Sequence, residues 1–115
     1  MTKPYEIAVT DAHTTAMEYA DLAFAEAFVG DTEAYDKALW SAYSHERLAA
    51  ELLRLDVTCE PSRSVLYRSA ASLALQRGEF DDARRLIALG LAGSPPHEIA
   101  EELWNLEISI NERGR

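Results

Sequence analysis

The segment that most constrains the fold is Gly78-Glu79-Phe80-Asp81-Asp82-Ala83, which is followed by Pro95. Glycine readily adopts the left-handed backbone conformation that ends many helices. Apolar residues recur at three- and four-residue steps on both sides of this glycine, as they do along one face of a helix. A small residue such as Ala83 lets two helix axes approach closely, and Pro95 suits the start of a further element. The segment therefore predicts the hinge of a short helical hairpin.

The same pattern extends along the chain and predicts an all-α fold of five helices. Gly30 and Gly93 also end apolar-periodic stretches, and Pro61 interrupts the periodicity between residues 56 and 62. We expect a flexible lead over residues 1–10 and a helical hairpin over 11–55. A second hairpin over 61–92 and a capping helix over 94–112 complete one domain of 115 residues. The expected N-terminal caps include Asp11, Asp31 and Ser94.

Each predicted helix has one apolar face, which we expect to be buried. In the first helix this face comprises Met17, Ala20, Phe24, Ala27 and Phe28. In the third helix it comprises Leu66, Ala70, Ala71, Leu73 and Ala74.

Residues 64–95 resemble one tetratricopeptide repeat. The matching positions are Ala71, Gly78, Phe80, Ala83, Gly90 and Pro95, whereas Tyr67 replaces the usual tryptophan and Ala74 occupies a site that is usually aromatic. The resemblance implies a TPR-like helical domain that holds another protein rather than catalysing a reaction. It covers a little over a quarter of the chain.

The first hairpin departs from this repeat pattern. Gly30 and Gly78 are 48 positions apart, whereas back-to-back repeats of this family are spaced by about 34 residues. The sequence thus predicts one well-formed unit beside a divergent hairpin. Because helical repeats bury their cores against their neighbours, we expect a partner or a second copy to cover an open face.

The charge of the chain restricts its partners. Twenty acidic and eleven basic residues give a net charge of −9, which opposes binding to a nucleic-acid backbone. No apolar run approaches the length of a membrane span, and the N-terminus lacks the apolar core of a signal peptide. A single cysteine, Cys59, cannot form an internal disulfide. We therefore expect a cytoplasmic protein that binds neither nucleic acid nor membranes.

The candidate binding residues are Arg63, Arg68, Ser72 and Gln76. The last three are spaced four apart and should lie along one face of the third helix. On the resemblance, Arg68 and Ser72 fall where such repeats line their concave groove, so this face would hold a protein or peptide. Arginine binds carboxylate or phosphate groups with paired hydrogen bonds. The alternative is that Arg63 and Arg68 pair with acids of the second helix, such as Glu46 or Glu51.

Other chemistry has little support in the sequence, which predicts no metal, no cofactor and no catalytic residue. His13, His45 and His97 lie on different elements without a metal-binding spacing. Two other function classes remain open. One is a small helical enzyme that uses His45 with Glu46 or Glu51, and the other is an acidic, antitoxin-like regulator of a basic protein. The aromatic residues Tyr35, Trp40, Tyr43 and Trp104 could anchor an interface or pack between helices.

Overall fold

The structure is a computed structural model that describes residues 3–113. It contains five α-helices: α1 (Pro4–Val29), α2 (Thr32–Leu52), α3 (Ser62–Gln76), α4 (Phe80–Leu91) and α5 (His97–Arg113). A short 3-10 helix, Val57–Cys59, lies between α2 and α3. No strand forms within residues 3–113, so the all-α prediction is confirmed. In this range no helix combines the length and apolar character needed to span a membrane.

The start of α1 differs from the prediction. The expected flexible lead is wrong for residues 4–10, which are helical, while residues 1 and 2 lie outside the described range. Pro4 occupies the first turn, where a missing backbone N–H costs nothing, and Tyr5 and Val9 pack against the core. Asp11 therefore lies inside the helix and does not cap it.

A two-residue turn reverses the chain between α1 and α2, which pack along one another. Gly30 has a φ of 82°, and its N–H donates to the carbonyl of Ala27. The Asp31 carboxylate accepts a hydrogen bond of 3.0 Å from the backbone N–H of Ala34. The predicted cap at Asp31 is confirmed.

The hinge at Gly78 is also confirmed. Its φ is 77°, and the N–H of Glu79 donates to the carbonyl of Ala74 at 2.9 Å, a bond that closes the end of α3. Ala71 and Ala83 are completely buried. Small side chains at both positions allow α3 and α4 to pack closely.

Gly90 marks a second close contact, where α4 meets α3 and α5. A Cβ atom at this position would lie 3.1 Å from both the Tyr67 Cβ and a Leu103 methyl group. Tyr67 and Leu103 are both completely buried. A side chain at this position would therefore crowd the contact between the three helices.

The last helix begins later than predicted. Residues 94–96 are not helical, and Ser94 does not cap α5. Pro96 restricts the preceding residue to extended backbone, which delays the helix to His97. The Pro96 carbonyl accepts the first helical hydrogen bonds, while the Ser94 N–H donates to the Glu60 carboxylate at 2.8 Å.

The predicted apolar face of α1 is wrong. The buried residues of α1 are Ala12, Ala16 and Ala23, whereas Phe24 and Phe28 are 77% and 87% exposed. Among the described elements α1 packs only against α2, and small residues at this contact bring the two axes close together. The larger apolar side chains of α1 consequently lie outside the helix–helix contact. The predicted face of α3, in contrast, is buried at all five positions.

Candidate binding surface

Arg63 is a structural residue. It is only 3% exposed, and its guanidinium donates to the carbonyls of Arg54 and Leu89, each at 2.8 Å. The guanidinium carbon also lies 5.0 Å from the centre of the Tyr67 ring. Arg63 thus joins the end of α2 to α4 from within the core, and its burial keeps it from contacting a ligand.

Arg68 lies at the surface and forms an ion pair with Glu102 of α5. Its partner is therefore an acid of the last helix rather than the predicted Glu46 or Glu51. The pair lies in a groove of about 450 Å³ between α3 and α5. We call this the polar groove; its walls include Arg68, Ser69, Ser72, Glu102, Asn105 and Ser109.

Gln76 lies in a second groove, of about 460 Å³, formed by α1, α2 and α3. The walls of this apolar groove include Ala20, Phe24, Ala27, Tyr35, Leu39 and Leu73. Leu39 and Leu73 are 3% and 7% exposed and form its deeper part, while Phe24 stands at its outer edge. Sequence reasoning missed this groove because it assigned the Phe24 face to the core.

One face of α3 separates the two grooves. Ser72 lines the polar groove, and Leu73 and Gln76, on adjoining helical positions, line the apolar groove. The predicted stack of Arg68, Ser72 and Gln76 is thus divided between two neighbouring depressions. Three of the four candidate binding residues on α3 thus line a groove, Arg68 and Ser72 the polar groove and Gln76 the apolar groove.

The aromatic residues divide between core and surface. Tyr43 is 1% exposed and Tyr35 is half-buried, whereas Trp40 and Trp104 are each about half exposed. Arg77 stacks on Trp40, with its guanidinium carbon 4.7 Å from the ring centre. Tyr43 is therefore a core residue, Trp40 is partly covered by Arg77, and about half of Trp104 is exposed.

One carboxylate is completely buried. Glu46 lies on the core side of α2, and its Oε1 is 2.8 Å from Nδ1 of His13 on α1. His45 instead bonds to the Ser41 carbonyl and stacks against Tyr19. The structure thus does not pair His45 with Glu46, one of the two acids that the enzyme hypothesis named. Glu46 could have been recognised from the sequence, because it lies four residues from both Ala42 and Ala50 on the same face.

Cys59 belongs to a surface cluster centred on Asp56. The Asp56 carboxylate accepts hydrogen bonds from Lys3, Tyr5, Thr58 and the Cys59 thiol. The hydrogen bond to Asp56 raises the pKa of Cys59, which lowers the fraction of reactive thiolate. The cluster ties the start of α1 to the connection between α2 and α3.

Within residues 3–113, no group of three or more His, Cys, Asp or Glu side chains is arranged to hold a metal ion. The two grooves differ in their lining: Arg68, Glu102 and Asn105 border the polar groove beside Leu106, whereas Phe24, Leu39 and Leu73 border the apolar groove.

Comparisons with known proteins gave no relative. No protein-family model matches the chain, and neither the curated proteins nor the solved structures gave a match.

Proposed function

We propose that the protein is a non-catalytic binding module that holds a protein or peptide segment against the surface formed by α1, α3 and α5. The observation that carries this proposal is the apolar groove, which leaves Phe24 77% exposed beside the buried side chains of Leu39 and Leu73. Contiguous apolar surface of this kind typically marks an interaction site in a soluble protein.

We further propose that the helices are arranged as in a tetratricopeptide-like repeat. Support comes from the left-handed turn at Gly78, the buried Ala71 and Ala83, and the three-helix contact at Gly90. The first helix of each hairpin borders the apolar groove together with α2, and α3 and the last helix border the polar groove. In such an arrangement these helices line a common concave side, which suits an extended or helical ligand.

The polar groove would supply specificity at the same surface. The guanidinium of Arg68 is already neutralised by Glu102, so an anionic ligand group must displace that carboxylate to reach it. Hydroxyl and amide groups of Ser72, Asn105 and Ser109 remain along the groove and can bond to a peptide backbone. We therefore assign Arg68 and Ser72 to peptide recognition, and we leave Arg63 out of the site.

A capture experiment tests the proposal. The tagged protein is used to capture partners from cells that produce it, in parallel with the variants Phe24→Asp and Leu55→Asp. Leu55 is a matched control because it is 86% exposed, lies outside both grooves and gains the same charge. We expect a partner that is retained by the native protein and Leu55→Asp and lost by Phe24→Asp. Equal capture by all three proteins would place the binding site elsewhere and overturn the proposal.

A further inference from the structure

We propose that the apolar groove takes a basic amphipathic helix of a partner protein, with apolar side chains entering the groove and Lys or Arg side chains facing α1. This inference rests on the proposed binding function and adds the chemical class of the partner. It depends on three properties of α1: an exposed apolar ridge, the groove beside this ridge, and a charge that comes from acidic residues alone.

The ridge consists of Met17, Ala20, Phe24, Ala27 and Phe28. These residues follow steps of three and four, so they lie along one side of α1. Phe24 and Phe28 are 77% and 87% exposed, and Ala27 is also exposed. Met17 and Ala20 are half-buried, and the fully buried residues of α1, Ala12, Ala16 and Ala23, lie on a different side of the helix. A helical apolar pattern of this kind is typical of a surface that packs against another helix.

The groove beside the ridge offers an apolar lining to such a helix. Leu39 of α2 and Leu73 of α3 form the floor of the groove, and Tyr35 and Phe24 form part of its walls. The volume of about 460 Å³ can receive apolar side chains projecting from one face of a bound helix. Helix-in-groove recognition uses anchors spaced by three, four and seven residues, a spacing that the ridge itself shares.

The negative charge of α1 favours a partner with basic side chains. The helix carries five acidic residues and no Lys or Arg. Asp21 lines the groove. At about 100° per residue, Glu18 and Glu26 lie about 120° and 160° around α1 from Phe24 and so face other directions. Within residues 3–113 none of these three carboxylates takes part in an ion pair. A partner with basic flanks would therefore meet the unpaired carboxylate of Asp21 at the groove, on a molecule whose net charge is −9.

Basic side chains of the neighbouring helices already form ion pairs with other acidic residues. Lys37 of α2 pairs with Glu33, and Arg77 pairs with Glu79 while it stacks on Trp40. Within residues 3–113 no basic side chain thus pairs with Asp21 at the groove. A second copy of the chain is a poor occupant of the groove. The acidic residues of the two α1 helices would face and repel each other, and each molecule carries a net charge of −9.

The test uses a synthetic peptide of about 18 residues, or five helical turns, with Leu on one face and Lys on the flanks. A second peptide replaces every Lys by Glu, and a third scrambles the Leu/Lys order at the same charge. Binding is measured by fluorescence anisotropy with the native protein, Phe24→Asp, Phe28→Asp and the control Leu55→Asp. Circular dichroism establishes that each variant is folded. Phe28→Asp keeps the test valid if Phe24→Asp does not fold.

We expect the Leu/Lys peptide to bind saturably and about tenfold more weakly to either ridge variant than to Leu55→Asp. We also expect no binding of the Leu/Glu peptide, weak binding of the scrambled peptide, and loss of affinity at high salt. Equal binding of the scrambled peptide, or equal binding by the ridge variants and Leu55→Asp, would overturn the proposal.

The capture and peptide experiments together distinguish an error in the class of partner from an error in the binding function. If cellular capture depends on Phe24 while the Leu/Lys peptide shows no Phe24-dependent binding, the binding function stands and the basic helix is wrong. Sedimentation of the native protein completes the test. A dimer that Phe24→Asp converts to a monomer would identify a second copy as the occupant and overturn the proposal.

Discussion

The Nδ1 atom of His13 lies 2.8 Å from the Oε1 atom of Glu46, the one acidic residue of α2 that is completely buried. The imidazole side chain is 44% exposed, so the pair reaches from the core to the surface between α1 and α2. The other oxygen, Oε2, has no hydrogen-bond partner among the described residues. His13 is thus the group that compensates the burial of this carboxylate.

Replacement of His13 by alanine should destabilise the fold by about 1–3 kcal/mol, because the Glu46 carboxylate would remain buried without its partner. Adding Glu46→Gln to His13→Ala should recover part of this loss, since an amide is less costly to bury than a carboxylate. Urea unfolding of the two single variants and the double variant measures the coupling. Additive effects would show that the two side chains do not interact.

Arg63 should contribute more to stability than to binding. Arg63→Ala removes two part-buried hydrogen bonds, to the carbonyls of Arg54 and Leu89, and the packing of a side chain that is 3% exposed. We expect a loss of about 3 kcal/mol in the free energy of unfolding. Arg68→Ala is the comparison, because its partly exposed ion pair with Glu102 should contribute less than about 1 kcal/mol. A larger loss for Arg68→Ala than for Arg63→Ala in urea unfolding would contradict the assignment.

Gly90→Ala should destabilise the protein although alanine favours helix formation. The added methyl group would lie 3.1 Å from the Tyr67 Cβ, which cannot move without its backbone, and 3.1 Å from a Leu103 methyl group. Overpacking of a core costs about 1–3 kcal/mol and should exceed the helix-propensity gain of about 1 kcal/mol. Thermal unfolding of Gly90→Ala against the native protein measures the net effect, and a raised Tm would show that the three helices can separate there.

Acid should weaken the cluster around Asp56. The hydrogen bond from Lys3, followed by those from Thr58, Tyr5 and Cys59, holds the pKa of Asp56 far below its ordinary range. A depressed folded-state pKa stabilises the fold above the unfolded value of about 3.9, and that stabilisation is lost as the pH falls below it. The native protein should therefore exceed Asp56→Asn in Tm at about pH 6, with the difference shrinking toward about pH 2. A difference that grows on acidification would contradict this account.

The helical hairpin of α3 and α4 was predictable because its determinants are local. Gly78 marks the turn, and Ala71 and Ala83 lie within one or two helical turns of it in the sequence. The five predicted core positions of α3 are all buried. Tertiary partners were harder to predict: Arg68 pairs with Glu102, 34 residues away, because the packing of α5 on α3 brings the two together.

The misassigned face of α1 has a specific cause. Periodicity identifies which side chains share a face, but it does not say which face meets a neighbouring helix. In α1 the larger residues Phe24 and Phe28 form the stronger pattern, yet the smaller Ala16 and Ala23 permit the closer contact with α2. The same error concealed the apolar groove, since a ridge assigned to the core cannot also border a binding site.

The most direct test of the central claim is amide hydrogen exchange of the protein with and without its captured partner. Binding in the apolar groove should slow exchange in α1 between residues 18 and 28 and in α3 between residues 68 and 76. Protection in these two segments, with α4 unchanged, would place the partner where the proposed function requires it. Protection confined to α4 (Phe80–Leu91), or none in α1, would contradict the account.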